Sequence, residues 1–464
     1  MKKTLLHPLC AGILSGALLC LGVPAVADTF PLSPDSDVVG ELRIIIAKHE
    51  DTLSDLARRH DLGYNEIVDA NPTVDPWLPG AGTPIVLPTQ FILPNAARQG
   101  IVLNVATMRL FYYPPAKPGE QAVVITHPIG IGKEGWSTPI GTTQIIAKQK
   151  DPAWNVPVSI REEHAKKGDP LPAIVPPGPD NPLGQFAMRL GLPGYLIHGT
   201  NKPYGIGMRV SHGCIHLYPE DIAELFETIP VGVAVNIINK PYTAGWHNNM
   251  LYIEAHTPLE EDAKVLDGSL TPALKEVVRA TKAEDRANIN WSRLIRVAHR
   301  HPGFPVPISM NAPSLSDMFE ALSVINEETG SAIVGSPVAP LAVTTAGQTQ
   351  TADAGVTPIE GTRTPATAPL PEPLAAAASV PVSTNWYIQA GTFQREDNAQ
   401  RLTFQLREME PAITAQYVSS SSGHRVLAGP FNSRDEAQNS QNRIKAQLGI
   451  QTLIKPVAGR RNSN

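Results

Sequence analysis

The chain has 464 residues, enough for about three domains, and with 17% charged residues and a net charge of −5 it lacks the basic surface that nucleic-acid binding requires. Its 45 prolines exceed ordinary usage and gather in particular stretches, which excludes one uniform globular body. Of its three cysteines, two (Cys10 and Cys20) lie in the first twenty residues.

Residues 1–27 read as a secretory signal peptide. Lys2 and Lys3 give a positive start, Leu9 to Val23 is apolar but short for a membrane span, and Ala25-Val26-Ala27 offers small residues for cleavage. Bulky Leu9 and Leu19 before the cysteines argue against lipoprotein processing. Cleavage would leave no stable membrane insertion and would carry one unpaired thiol, Cys214, into an oxidising compartment. Residues 42–89 read as a small βααβ module. Leu42 to Ala47 is a strand, and Asp51-Thr52 caps a helix with Leu53, Leu56 and Ala57 on its apolar face. Asn65 starts a second helix through Ile67 and Val68, Asn71-Pro72 stops it, and Ile85 to Pro88 closes the module as a strand.

Residues 97–240 read as mainly β, with strands expected over Ile101–Tyr112, Gln121–Ile129, Thr142–Ala147 and Phe186–Leu190. A helix begins at Pro219, with Glu220 and Asp221 in its first turn and Ile222, Leu225, Phe226 and Ile229 on one face. Residues 241–310 form an extension packed on this domain, with a strand over Leu251–Ala255 and a helix over Pro272–His299. Residues 330–384 contain no aromatic residue and no lysine but much Pro, Ala and Thr; such a stretch buries too little surface to fold and reads as a disordered linker that frees the last domain. Residues 385–458 hold an internal repeat. Trp386-Tyr387-Ile388-Gln389-Ala390-Gly391-Thr392-Phe393 and Arg425-Val426-Leu427-Ala428-Gly429-Pro430-Phe431 each precede a helical stretch and a further strand, the βαβ-βαβ order of an α+β ferredoxin-like domain.

The chemistry centres on Cys214 in Val210-Ser211-His212-Gly213-Cys214-Ile215-His216-Leu217. A lone cysteine serves as a small buried hydrophobe, as a metal ligand or as a nucleophile. His212, Cys214 and His216 would share one face of an extended strand, with His198 as a fourth ligand, although such spacing is cramped for a tetrahedral site. The nucleophile reading accounts for more residues. A thiol with a pKa of about 8.5 needs a base, and His198 supplies one near neutrality. Gly199 and Gly213 permit close backbone approach, and N–H groups around Gly213 and Cys214 suit an oxyanion site.

His198-Gly199 followed by Ser211-His212-Gly213-Cys214-Ile215 resembles the signature of L,D-transpeptidases with a YkuD-type catalytic domain. Ala97 to Asn104, Pro128-Ile129-Gly130-Ile131-Gly132, Pro176 to Pro182 and Gly205 to Val210 extend the resemblance, to the periplasmic Gram-negative branch, over residues 97–240. The resemblance implies that Cys214 forms a thioester with the third residue of a stem tetrapeptide and that an amine resolves it, with no metal or cofactor. His198 would be the base, the Gly199 carbonyl its orienter, and His212, Gly213 and Cys214 the frame of the oxyanion site. The family's usual arginine after the isoleucine is His216 here, expected either as a partly charged anchor for a substrate carboxylate or as a filler; Arg189, Arg209 and Ser211 are the other substrate-binding candidates. A diaminopimelate acceptor would give a 3-3 crosslink, the lysine of an outer-membrane lipoprotein an anchored lipoprotein, and water an L,D-carboxypeptidase.

Residues 42–89 resemble a LysM module, which implies binding of N-acetylglucosamine-containing glycan. Residues 385–458 resemble a SPOR domain, which implies binding of glycan strands stripped of stem peptides at division sites, with Tyr387, Gln389, Phe393 and Arg425 as candidate contacts. The expectation is a periplasmic enzyme held on peptidoglycan and enriched at the division septum, with stem peptides and glycan strands as partners. The competing reading is a catalytically silent scaffold that binds the wall.

Overall fold

The computed structural model describes residues 28–327 and 386–456 apart from 167, 410–412 and 421–422. The expected signal peptide, 1–27, and linker, 330–384, lie outside the described residues. The first strand, β1 (Asp28–Pro31), lies antiparallel on β8 (Val123–Pro128), so the residues after the expected cleavage site open the catalytic sheet. β2 (Val38–Gly40) pairs with β5 (Gln90–Ile92), and between them runs β3 (Arg43–Ile46), α1 (Leu53–Arg59), α2 (Tyr64–Ala70) and β4 (Pro84–Leu87). β3 and β4 pair antiparallel. Thr52 caps α1 by accepting from Asp55 N at 3.1 Å. α2 starts one residue before the expected Asn65, because the Glu66 carboxylate accepts from Gly63 N at 2.7 Å and closes the first turn. Asn71 then joins α2 to β4, donating to Ile67 O and Val86 O and accepting from Val86 N.

The strand expected over Ile101–Tyr112 is instead a hairpin of β6 (Gly100–Asn104) and β7 (Arg109–Tyr113), turned at residues 105–108 where Met108 takes a φ of 51°. After β8 come β9 (Ile131–Gly132), β10 (Gly141–Lys150), and an arm in which β11 (Trp154–Asn155) and β12 (Ile174–Val175) flank α3 (Val158–Lys166). β13 (Phe186–Leu190), β14 (Leu196–His198), β15 (Arg209–Ser211), β16 (Ile215–His216), α4 (Pro219–Thr228) and β17 (Ala234–Ile238) complete the domain. Nine strands form one sheet in the order β1-β8-β7-β6-β17-β10-β13-β14-β16. Period-two alternation divides its side chains between two cores. Ile101, Leu103, Leu110 and Tyr112 pack with Ile222, Leu225 and Ile229 of the α4 segment. Val102, Phe111, Tyr113 and Val124 pack with Ile45, Leu53, Leu56 and Ile67 of the first module.

The extension adds the hairpin β18 (Tyr242–His247) and β19 (Met250–Ala255), then α5 (Glu260–Leu266), α6 (Thr271–Ala280), α7 (Trp291–Arg300), β20 (Val306–Pro307) and α8 (Leu315–Glu320). The single helix expected over Pro272–His299 is two, because Asn290 accepts from Arg293 N at 3.0 Å and caps a new start. The extension shares a core with Ile44 and Val86 of the first module and runs past residue 310 to a bridge between Ile44 and Val324.

The last domain comprises β21 (Trp386–Phe393), α9 (Glu396–Glu408), β22 (Ala415–Ser420), β23 (Gly423–Phe431), α10 (Arg434–Leu448) and β24 (Leu453–Pro456), in sheet order β22-β23-β21-β24. Ile388, Ala390, Val426 and Ala428 face Leu402, Leu406 and Ile444 of the helices. This domain is docked rather than free. Trp77 of the first module, 3% exposed, meets Phe393 edge-on at 5.7 Å, and Arg401 pairs with Asp55.

Candidate active site

β14 and β16 run parallel with Ile197 opposite Ile215 and His198 opposite His216. Ile197 and Ile215 are both fully buried in the core, so His198 and His216 lie on the other face. Leu196, one position before Ile197, falls on the face of His198 by the strand's period of two, and Cys214 is the residue that leads directly into β16. The parallel pairing of β14 with β16 thus brings the segment that carries Cys214 alongside the strand that carries His198. The loop that delivers Cys214 is held by two hydroxyls. Ser211 Oγ donates to Cys214 O at 2.6 Å and accepts from Gly213 N at 3.2 Å, and Thr138 Oγ1 donates to Gly213 O at 3.0 Å and accepts from Gly132 N at 3.2 Å. Gly213 has φ +103°, and a Cβ there would stand 2.9 Å from the Tyr195 ring, so only glycine fits.

The imidazole of His198 is buried, and its Nδ1–H donates to the Gly199 carbonyl at 2.5 Å, which leaves the Nε2 lone pair as the basic position. Burial lowers its pKa to about 4. Burial pushes the Cys214 thiol up, and its Sγ lies 3.7 Å from the Gly194 carbonyl. The thiol and the imidazole are therefore both neutral at rest rather than a thiolate–imidazolium ion pair.

The structure corrects several substrate-binding expectations. His216 is 5% exposed and stacks on His198 with ring centroids 6.1 Å apart. Burial first and His198 second lower its pKa to about 3, and its ring occupies the space that a Cβ on Gly130 would need. A closed-in, neutral imidazole cannot anchor a carboxylate by charge. Arg209 donates through Nε to Gly132 O at 3.1 Å and is held by Glu260 and Glu261 in the first turn of α5, so its charge is already neutralised. Ser211 is committed to the loop itself. Arg189 is different: it is exposed, and no ion pair engages it among the described residues. It lies opposite Leu196 in the β13–β14 ladder, and β14 is in turn paired with β16, which Cys214 leads into.

His212 Nε2 meets Glu163 of α3 at 3.0 Å, and its ring lies edge-on to Trp136 at 4.9 Å. Burial and Lys133, itself 2.6 Å from Glu163, lower its pKa. With His212 turned to Glu163 and His198 Nδ1 turned to Gly199, the four-ligand metal set considered for Cys214 is not assembled among the described residues. Thr138, Lys133, Glu163, Glu260 and Glu261 were not legible in the sequence, because each lies about 30 to 75 residues from its partner and belongs to no motif.

In the last domain Tyr387, Gln389 and Arg425 alternate with the buried Ile388 and Val426, so they face away from the helices, where Lys455 Nζ donates to Gln389 Oε1 at 2.6 Å. Phe393, expected on that face, is 4% exposed and packs against Trp77, which removes it from the candidate contacts.

A family model described as the L,D-transpeptidase catalytic domain matches residues 98–237, and one described as the SPOR domain matches residues 382–456. The chain is similar to "Probable L,D-transpeptidase YcfS" of Escherichia coli (strain K12), 40% identical over 303 residues that cover 63% of this chain and 92% of that protein. It is likewise 40% identical over 302 residues to "Probable L,D-transpeptidase ErfK/SrfK" of Salmonella typhimurium, covering 63% of this chain and 94% of the relative. "Probable L,D-transpeptidase YbiS" of Escherichia coli (strain K12) is 43% identical over 249 residues, covering 53% and 80%.

Proposed function

The chain belongs to the L,D-transpeptidase family, and on that premise we propose that Cys214 is its acyl-accepting nucleophile, with His198 as the base. What supports this reading is the parallel pairing of β14 with β16, which sets Cys214 at the entry to the strand beside His198, together with the Nδ1–H of His198 already donated to Gly199 O. His198 Nε2 takes the thiol proton as sulfur attacks the carbonyl of the third stem-peptide residue. The terminal D-residue leaves with a proton, a thioester remains, and an amine acceptor resolves it. The backbone N–H of Cys214, in the loop framed by His212 and Gly213, would stabilise the oxyanion, since the Gly213 N–H is already taken by Ser211 Oγ.

Arg189 would hold a donor carboxylate, since Arg209 is saturated and His216 is neutral. The lysine of an outer-membrane lipoprotein is the acceptor favoured here, ahead of a second diaminopimelate or water. The βααβ module acts as a LysM-like glycan anchor, and the SPOR domain uses Tyr387, Gln389 and Arg425 to hold denuded glycan at the septum, all within the periplasm. Carbapenem acylation tests the nucleophile: Cys214→Ser should abolish the adduct, and His198→Ala should slow it at neutral pH with partial recovery at high pH. Full labelling of Cys214→Ser would end this reading. Muropeptide mass spectrometry of cells carrying wild type or Cys214→Ala identifies the acceptor.

A further inference from the structure

Behind the nucleophile loop, three side chains from three parts of the fold converge away from solvent. Asp61 comes from the turn between α1 and α2, His127 from β8 and Asp221 from the first turn of α4. Their ligand atoms lie within 4.8 Å of one another. His127 is 1% exposed at its side chain, Asp221 8% and Asp61 12%. His127 Nδ1 is 3.1 Å from Asp61 Oδ2 and 3.6 Å from Asp221 Oδ1, yet the geometry makes no hydrogen bond. Both ring nitrogens of His127, both carboxylate oxygens of Asp61 and Asp221 Oδ2 are buried without a partner.

Five orphaned polar atoms in one place are costly, because buried carboxylates require donors or a counter-charge. The neighbouring cation, Arg109, is engaged bidentately by Glu66 and donates to the backbone carbonyl of Asp61. We propose that Asp61, His127 and Asp221 form a structural site for one divalent transition-metal ion of the zinc class. One imidazole and two carboxylates are a ligand set for such ions, and the added charge would neutralise the pair of acids. The ion would tie the first module to the catalytic sheet and to α4. The competing arrangement is a proton held between the two acids, which the burial of Asp221 beside Asp61 and the resulting rise in its pKa also favour.

The test uses the full mature chain, stripped with a chelator and titrated with zinc chloride by calorimetry. One zinc per chain is expected, with a rise of about 5 °C in the unfolding midpoint at saturation. Binding should persist in Cys214→Ser and weaken by more than about 100-fold in Asp61→Asn and His127→Gln, with circular dichroism confirming their fold. If His127→Gln does not fold, Asp61→Asn decides, since its side chain lies on a turn. No stoichiometric zinc, zinc lost with Cys214→Ser, or zinc retained by Asp61→Asn would each overturn the site. Zinc-free Asp61→Asn more stable than wild type, with no zinc bound by either, would assign the trio to a shared proton.

Discussion

The first module shares a core with the catalytic sheet, whereas the last domain reaches that module through a small interface. At the first junction Val102, Phe111, Tyr113 and Val124 interleave with Ile45, Leu53, Leu56 and Ile67, and Glu66 pairs with Arg109 at 2.7 Å with both side chains at most 4% exposed. At the second, Trp77 covers Phe393 and Arg401 pairs with Asp55. Each fully buried aliphatic contributes about 1.5–3 kcal/mol, so the first junction is part of one cooperative body. The second has the character of a detachable contact. The difference teaches that two modules on one chain need not be equally free: one shares a core with the catalytic sheet, the other is held by a smaller contact.

Four experiments break or sharpen that comparison. The largest effect is expected from Glu66→Gln, which keeps the shape but leaves the Arg109 guanidinium buried without its counter-charge. It should cost about 3–5 kcal/mol in urea unfolding, in one transition shared by module and catalytic domain. Two separate transitions in the wild type would show that the module is not fused. Trp77→Ala comes next. It should remove about 2 kcal/mol of docking while leaving catalysis intact, seen as a larger radius in small-angle scattering. Unchanged dimensions would locate the docking elsewhere.

Acid probes the catalytic domain through His198 and His216, both buried in it. Their folded pKa values, about 4 and about 3, lie below the ordinary 6.5. These two rings therefore bind more protons in the unfolded chain throughout that window, and their contribution to stability falls as pH drops below 6.5. Going from pH 7 to pH 6 should cost about 1 kcal/mol, and His216→Gln should remove about half of this. A pH dependence identical in wild type and His216→Gln would refute the neutral, buried state of the His216 ring. The smallest effect is expected from Arg401→Ala, under about 1 kcal/mol of docking and fading with added salt. An effect as large as that of Trp77→Ala would make the second junction electrostatic.

What proved readable in the chain was local. Asp51-Thr52 before Leu53, Pro219 before Glu220 and Asp221, and the repeat around Trp386 and Arg425 led to α1, α4 and the last sheet within a residue or two. Ile101–Tyr112 failed as one strand because nothing in its apolar run marks the turn at Met108. Pro272–His299 failed as one helix because the cap at Asn290 looked like an interior residue until its side chain met Arg293 N.

At the site, the Cys214 motif and His198 were visible because the thiol, the imidazole and the glycines lie in two short segments of the sequence. The charges around them were not. His216, Arg209 and Arg189 looked alike as cationic candidates, and only tertiary packing separated them. Burial against Gly130 and His198 neutralised the first, α5 supplied Glu260 and Glu261 to the second, and the third remained exposed opposite Leu196 in the sheet. Sequence by itself determined which residues can do chemistry, since that is a property of side chains and short spacings. Which of them are charged, covered or reachable was decided by the tertiary structure, since solvation and counter-charges come from residues far away along the chain.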